Sequence, residues 1–483
     1  MNEGAMSEGE FAAYADKWVA SHKDEIVSTL LELIRIPSVG EEPEEGKPFG
    51  PKVHEALTFF KEKAAGFGMI VKDVEGYAAH AEIGTGHEIV MALTHVDVVP
   101  LGTGWTRNPL GEVFDGKVFG RGAQDNKGPT VACLHALRIL KESGVRLSRR
   151  VRHVVGGNEE SGFRCVRKYF EVEEKPTYGF SPDAYFPLVY AEKGNMNAKV
   201  TCRLEKGPLT LTEVSGGERP NIVPEKARAV LEVPEGFEEE VIRRLESAAA
   251  SVRERVGGPV PIDFQFEKEP GKVMMASRGR ACHASTPWAG TNALAGLLHL
   301  LASLGPDLGS HEALRFAADA AQIYGKGLNI EAEDDISGKL TCNLGVAATG
   351  DENGHRLLSC IYNIRYPVRA SGEELKMRVL SCDKPQGVSL EVLSLGKSHY
   401  TDPDSHLVKT LLRVYREETG DNSPPMAIGG GTYAKVIPGG VAYGPVRPGQ
   451  PETAHQADEY LSLEDLFFLV KIYARALFAL AGL

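Results

Sequence analysis

Apolar runs of strand length alternate with segments of helical apolar spacing from about residue 10 to residue 190. This alternation is typical of an α/β sheet. The pattern predicts a helix that ends at Ile36, before Pro37, and a helix over 129–142 with Pro129 in its first turn and Gly144 after its end. Predicted strands occupy residues 88–93, 151–155 and 178–181.

The pattern changes between about residues 194 and 395. Longer strands of alternating polarity are predicted there, and the segment 351–354, Asp-Glu-Asn-Gly, is a hairpin turn signal between two of them. Helices are predicted at 238–256, 292–304 and 373–380. After about residue 396 the short strands, glycine turns and helices resume. We therefore predict an α/β domain, 1–193 and 396–483, interrupted by an inserted α+β domain, 194–395.

Charge and cysteine usage exclude several classes of protein. The chain has 483 residues, 54 Lys and Arg, 66 Asp and Glu and a net charge of -12, with no basic block that would bind nucleic acid. Seven scattered cysteines form no CxxC pair, which predicts a reducing cytoplasm. The acidic start, 1–17, lacks a secretory signal pattern, and 461–483 reads as an amphipathic helix, so we expect no membrane segment.

Five side chains at predicted strand ends or in turns could bind metal ions. Each has an ordinary structural alternative, such as a helix-start carboxylate, a turn residue or a capping histidine. The candidates are His95, Asp125, Glu160, Asp183 and His455.

The acidic doublet Glu159-Glu160 follows the predicted strand 151–155 and is flanked by glycines. Two ionised carboxylates repel each other in a partly buried place unless cations or a shared proton relieve them. One carboxylate could bind metal while its neighbour transfers a proton, although a solvated acidic loop would also explain the pair. Asp97 lies two residues after His95, and in an extended chain it could brace that imidazole.

Two histidines and three carboxylates, without a thiolate, suit zinc, cobalt or manganese. The residue types do not choose among these metals, and we place zinc first. Two ions about 3.5–4 Å apart would hold a bridging water, lower its pKa and stabilise a developing oxyanion.

The motifs in chain order are HVD (95–97), GRGxxDxKG (120–128), NEESG (158–162), SPDA (181–184) and a late histidine before an acidic pair. Together they resemble the co-catalytic metallopeptidase family that includes carboxypeptidase G, aminoacylase, succinyl-diaminopimelate desuccinylase and the bacterial dipeptidase PepV. The resemblance covers nearly the whole chain. It implies an α/β metallopeptidase catalytic domain with an inserted α+β lid domain.

The resemblance also assigns roles. Asp125 would bridge two metal ions, with His95 and Asp183 completing one site and Glu160 and His455 the other. It further implies that Glu159 is the general base, that Asp97 orients His95, and that the peptide bond after Asp125 is cis.

The inserted domain carries further motif residues. His283, in the segment 279–287, matches a lid histidine that stabilises the tetrahedral oxyanion, and Cys282 beside it stands where the family pattern has alanine. Asn221 and Arg365 match lid positions, and Arg365 could bind a substrate carboxylate. A turn asparagine and a surface ion pair are the alternatives for these two. The loop 429–434 resembles the family's glycine loop, with substrate contacts expected at Gly430, Gly431 and Thr432.

The lid of about 200 residues and the GGGTYA loop resemble the PepV-like dipeptidase branch. They imply a monomer that hydrolyses unblocked dipeptides with a metal-activated water, Glu159 as general base and His283 as oxyanion stabiliser. An N-acyl amino acid amidohydrolase, such as a deacylase or desuccinylase, is the nearest alternative. A catalytically silent metal-binding protein is the alternative of another class.

Overall fold

A computed structural model describes residues 6–482. The described chain forms two compact units. The first comprises residues 6–191, 400–427 and 431–482, and the second comprises Glu192–His399 with Ile428–Gly430. The predicted insertion, 194–395, lies inside the second unit. The short segment Ile428–Gly430 also joins that unit, although the sequence pattern assigns it to the catalytic domain.

The helices and strands are numbered in chain order. The α-helices are α1 Glu8–Ser21, α2 Lys23–Ile34, α3 Pro51–Gly66, α4 Lys127–Glu142, α5 Arg164–Val172, α6 Glu238–Val256, α7 Ala293–Ala302, α8 His311–Ala320, α9 Gly372–Leu380, α10 His406–Thr419 and α11 Leu463–Ala481. Short 3₁₀ helices occupy Pro287–Ala289, Gly305–Asp307, Lys326–Leu328 and Tyr433–Val436. The strands are β1 Ile70–Val74, β2 Ala78–Ile83, β3 Ile89–His95, β4 Glu112–Phe114, β5 Lys117–Phe119, β6 Arg150–Gly156, β7 Tyr178–Ser181, β8 Ala184–Tyr185, β9 Val189–Glu192, β10 Gly194–Arg203, β11 Thr210–Gly216, β12 Lys226–Glu232, β13 Asp263–Glu269, β14 Lys272–Arg278, β15 Glu333–Asp334, β16 Gly338–Lys339, β17 Thr341–Glu352, β18 His355–Tyr366, β19 Val388–Gly396, β20 His399–Tyr400, β21 Met426–Ile428, β22 Val441–Ala442, β23 Pro445–Val446 and β24 Tyr460–Ser462.

A mixed sheet organises the first unit. Its strand order is β1-β2-β6-β3-β7-β22-β9-β20, and β21 pairs with β9. The strands β6, β3, β7 and β22 run parallel to one another. Every residue of β2 and β3 is buried, as expected for strands covered on both faces.

The predicted elements of this unit appear with small shifts at their ends. The strand predicted at 151–155 is β6, and that at 178–181 is β7. The helix predicted from Pro129 begins two residues earlier, at Lys127. Proline is tolerated there because the first N–H groups of a helix have no partner within it.

The terminal helix α11 is amphipathic, with a narrow polar stripe that includes Lys471 and Arg475 and an otherwise largely buried surface. No helix among residues 6–482 is long and apolar enough to cross a membrane.

An antiparallel sheet organises the second unit. Its strand order is β13-β14-β12-β11-β17-β18-β10-β19. The predicted hairpin turn joins β17 to β18, and its central residues Asn353 and Gly354 both have positive φ (51° and 78°). Such φ values suit the twist of a two-residue hairpin loop. The helix predicted at 292–304 is α7, which ends earlier, at Ala302, and is buried almost throughout.

Candidate metal centre

Three strands of the first unit's sheet bring four acidic and histidine side chains to one edge. His95 is the last residue of β3, Glu159 and Glu160 follow β6, and Asp183 follows β7. Because these strands are parallel, their carboxyl ends meet at the same edge of the sheet, where α/β proteins bind ligands. Residues far apart in sequence therefore become neighbours.

The ligand candidates form two groups. The ligand atoms of His95, Glu159 and Asp183 all lie within 4.8 Å of one another, and so do those of Asp125, Glu160 and His455. The Asp125 carboxylate lies between the two histidines, with Oδ1 3.1 Å from Nε2 of His95 and Oδ2 3.0 Å from Nε2 of His455. This is the geometry of a carboxylate that can bridge two cations.

The buried Nε2 atom of His95 tests whether a metal ion fits. It faces Asp125 and Asp183 oxygens at 3.1 and 3.6 Å but makes no hydrogen bond of proper geometry. A buried ring nitrogen without a partner costs free energy. A cation shared with the neighbouring carboxylates would satisfy it, so the residues present fit a metal ion.

The electrostatics of the cluster also favour cations. Burial raises the pKa of Glu159 well above its usual value, and the nearby Asp183 carboxylate adds to the rise. Burial opposes protonation of the histidines, yet Asp125 and Glu160 raise the pKa of His455 to about 11. The pKa of His95 is likewise raised well above 6.5 by Asp125 and Asp183, against the effect of burial. Four carboxylates facing two imidazoles carry an excess of negative charge that cations relieve.

Asp97 plays a wider part than the sequence predicts. His95 Nδ1 lies 3.0 Å from the carbonyl oxygen of Asp97 and 3.5 Å from its carboxylate oxygen Oδ1, so the closer brace is the backbone. The carboxylate accepts hydrogen bonds from the backbone N–H groups of Glu159 and Glu160, both at 3.0 Å. Asp97 thus holds the acidic doublet in place as well as the imidazole.

The peptide bond between Asp125 and Asn126 is cis, as the family resemblance predicts. The Asn126 amide donates to Asp183 Oδ1 at 3.0 Å and to the Pro182 carbonyl at 2.7 Å. Asn126, which follows the candidate ligand Asp125, therefore orients the carboxylate of a second candidate, Asp183.

Three predicted lid residues lie in the second unit. Ile222, next to Asn221, forms an antiparallel bridge with His283, and the Ala284 N–H donates to the Asn221 carbonyl at 2.9 Å. The His283 side chain is exposed, and its Nδ1 lies 2.6 Å from Ser285 Oγ. Asn221 and His283 are therefore side by side, although 62 positions separate them in the sequence.

Arg365 is 7% exposed and pairs with no acidic side chain among the described residues. Its Nε donates to Asn363 Oδ1 at 2.9 Å and its Nη1 to the Gly429 carbonyl at 3.4 Å. Burial lowers the pKa of Arg365 to about 10. The alternative of a surface ion pair at this position is therefore wrong.

The glycine loop divides between the units. Gly430 belongs to the second unit, and Gly431 and Thr432 belong to the first. Thr432 caps the 3₁₀ helix Tyr433–Val436, and its hydroxyl oxygen accepts a hydrogen bond from the Ala434 N–H at 3.1 Å. This cap holds Tyr433, whose ring meets His95 edge-on with centroids 5.9 Å apart.

The sequence as a whole matches a known family. Residues 91–479 match Peptidase family M20/M25/M40, a range that includes all five candidate ligands. The chain belongs to this family. It is therefore a metallopeptidase, and the α/β fold with a second domain agrees with M20 structures.

Individual relatives cover this M20 chain almost completely. "Putative dipeptidase YtjP" of Bacillus subtilis is 37% identical over 472 residues, which is 96% of this chain and 98% of the relative. The structure of the dipeptidase Dug1p from Saccharomyces cerevisiae has a TM-score of 0.58 at 16% identity, covering 98% of each chain. Human carnosine dipeptidase 1 has a TM-score of 0.55 at 15% identity, covering 97% of this chain and 99% of the other.

Sequence reasoning gives no role to two residues of this site, Asn126 and Tyr433. Asn126 is an unspecified position of the GRGxxDxKG motif, and Tyr433 is part of the GGGTYA loop. The only local signal for Asn126 is that a polar residue stands between Asp125 and the predicted helix. No local pattern marks Tyr433 as a neighbour of His95, because that contact joins segments far apart in the chain.

Proposed function

We propose that this M20 peptidase is a dipeptidase that hydrolyses the amide bond of unblocked dipeptides. The observation that carries the proposal is the placement of Asp125 between His95 and His455, with Glu159 beside the first group of ligands. The names of relatives that are at least 30% identical over nearly their whole length support dipeptides as the substrate class.

In this proposal His95 and Asp183 would hold one divalent ion, Glu160 and His455 would hold the other, and Asp125 would be a ligand shared by the two groups. Two bound ions would supply Lewis acidity and a water of lowered pKa. Glu159 takes the proton from the attacking water and delivers it to the leaving amine. Its place beside His95 and Asp183 and its anchoring through the backbone to Asp97 support this role.

The second unit contributes substrate contacts in this proposal. His283 and the adjacent Asn221 stabilise the developing oxyanion. Arg365 binds the substrate's terminal carboxylate, since a buried guanidinium without an acidic partner among the described residues has donors to spare. Gly430, Gly431 and Thr432 contribute further substrate contacts. The inserted domain of about 200 residues could take the place of a partner subunit, so we propose a monomer.

We propose zinc as the first choice of metal, with manganese and cobalt as alternatives, because the donors are imidazole and carboxylate. Seven cysteines without a disulfide support a reducing cytoplasmic location.

A comparison of an unblocked dipeptide with its N-acetylated form tests the proposal. A dipeptidase should cleave the unblocked form with the higher kcat/KM. Faster cleavage of the acetylated form would instead identify an N-acyl amino acid amidohydrolase. A metal-loaded protein inactive on a broad dipeptide panel would point to a silent metal-binding protein.

A further inference from the structure

A buried ion pair lies close to the proposed metal ligands. Glu459, four residues after His455, is 0% exposed, and its partner Arg121 is 3% exposed. Arg121 Nη1 donates to Glu459 Oε2 at 2.7 Å. Removing two charges from water carries a desolvation cost that often cancels their attraction. A buried ion pair is therefore weak evidence that the two residues serve to stabilise the fold. Its hydrogen bonds to neighbouring loops indicate another role.

The other oxygen of Glu459 organises the loop that carries Asp125. Oε1 accepts from the backbone N–H groups of Gly122 (3.1 Å), Gln124 (3.0 Å) and Asp125 itself (3.1 Å). The loop curls around the carboxylate with Gly122 at φ 90°, where a Cβ would meet side-chain atoms of Lys127 and Val98 at 2.9 Å. Only glycine suits this turn.

Further hydrogen bonds, made by Gln124 and Arg121, join that loop to the segment on both sides of His455. Before the histidine, Gln124 Oε1 accepts from the N–H groups of Thr453 (2.7 Å) and Ala454 (3.0 Å). After it, Arg121 Nη1 donates to the Gln456 carbonyl at 3.1 Å. Glu459 and its partners therefore set where His455 stands relative to Asp125.

The two histidine ligands differ in how they are supported. His95 is buried, its Nδ1 contacts the Asp97 carbonyl at 3.0 Å, and its own carbonyl accepts from Thr130 Oγ1 at 3.0 Å. The His455 side chain is 47% exposed, its backbone has φ 63°, and its Nδ1 makes no hydrogen bond to any described residue. Apart from the contacts of its Nε2 with Asp125 and Glu160, its position depends on its backbone, which Gln124 and Arg121 hold on either side.

We propose that Glu459 is a positioning residue that sets the metal affinity of the group Asp125, Glu160 and His455. The group that contains His95 and Asp183 is held by hydrogen bonds that do not involve Glu459. The affinities of the two ions therefore depend on Glu459 to different extents. This inference rests on the two-metal site proposed above. The class of ligand is a divalent cation.

The test is titration of the metal-free, full-length protein with Co²⁺, followed by calorimetry and by visible absorption of the bound ion. In Glu459→Gln we expect one Co²⁺ to bind with about wild-type affinity and the second to bind about 10–100-fold more weakly, the usual effect of losing a residue that orients a ligand. Arg121→Lys keeps a cation but not its fork of donors. Arg121→Lys should lower the affinity for the same Co²⁺ ion, but by less than Glu459→Gln does. If Glu459→Gln does not fold, the titration of Arg121→Lys tests the proposal.

Glu82→Gln is a matched control. Glu82 Oε2 accepts from Arg152 Nε at 2.7 Å, and both are buried between β2 and β6 in the same unit. This change should lower thermal stability and leave both Co²⁺ affinities unchanged.

Equal weakening of both ions, or wild-type affinities for both in Glu459→Gln and Arg121→Lys, would overturn the proposal. The readout is independent of substrate. A wild type that binds two Co²⁺ ions but cleaves no dipeptide would refute the proposed activity, and the titrations would still decide the role of Glu459.

Discussion

Replacement of Glu159 by glutamine tests whether Glu159 transfers a proton while Glu160 binds metal. Glutamine has nearly the same shape, and the backbone N–H of residue 159 can still donate to Asp97 Oδ1 at 3.0 Å. The loop should therefore keep its conformation. The amide cannot take a proton from water, so the change removes the proposed general base and little else.

The expected loss follows from what surrounds this side chain. A positioned general base contributes about 10²–10⁴-fold in rate, which is about 3–5 kcal/mol of transition-state stabilisation. The neighbouring carboxylate cannot take over, because Glu160 Oε1 lies 2.9 Å from His455 Nε2 within the second ligand group. We therefore expect kcat of Glu159→Gln to fall by about 10³-fold.

The assay combines kcat on an unblocked dipeptide with the metal content of the protein after equilibration with saturating metal. Glu159→Gln should lose kcat and keep two ions. The matched variant Glu160→Gln should lose one ion, because it removes a ligand. If Glu159→Gln keeps full activity, or loses an ion while Glu160→Gln keeps both, the assignment of roles is wrong.

Three other predictions concern the substrate, the pH and the metal. In Arg365→Met, kcat/KM for a dipeptide should fall about 10²-fold and that for the dipeptide amide should hardly change, because a charge-assisted hydrogen bond contributes about 1.5–3 kcal/mol; equal losses on the two substrates would contradict carboxylate binding. Burial lowers the pKa of His135 to about 3, so below pH 6.5 the unfolded chain binds more protons at this residue than the folded chain does. The free energy of unfolding therefore falls as the pH falls, by about 2 kcal/mol at about pH 5. Urea unfolding at about pH 7.5 and about pH 5 should show a smaller acid loss in His135→Asn, and an equal loss would refute this. Chelation should abolish activity and lower Tm, because it leaves the clustered carboxylates without cations, and added metal should restore both; an unchanged Tm after verified metal loss would count against the site.

Local patterns were sufficient for much of the fold. The apolar run at 89–93, within the strand predicted at 88–93, corresponds to β3 because a strand buried on both faces has a short, continuous apolar sequence. Asn353-Gly354 predicts the β17–β18 turn because both positions need positive φ. Helix ends were less well predicted: Leu304 continues the apolar pattern of α7 but lies beyond its last residue, Ala302.

For the site, the sequence supplied candidates but not their geometry. His95, Asp125, Glu160, Asp183 and His455 each had an ordinary structural alternative, and only their order along the chain indicated a shared centre. Parallel strands β3, β6 and β7 then bring three of these segments to one edge. Contacts such as Asp97 with the Glu159 N–H join loops 62 positions apart, and no short-range pattern records such a pairing.

The sequence by itself therefore determined the chemistry that is available: the donor set, the acidic doublet and the inserted domain, all of which are written in residue types and spacing. The tertiary structure decided which of these groups meet. It placed one carboxylate oxygen of Asp125 against each histidine, buried Arg365 without an acidic partner among the described residues, and tied His455 to the Asp125 loop through Glu459. The physical reason is that burial and hydrogen bonding depend on neighbours in space, which the folding of distant segments creates.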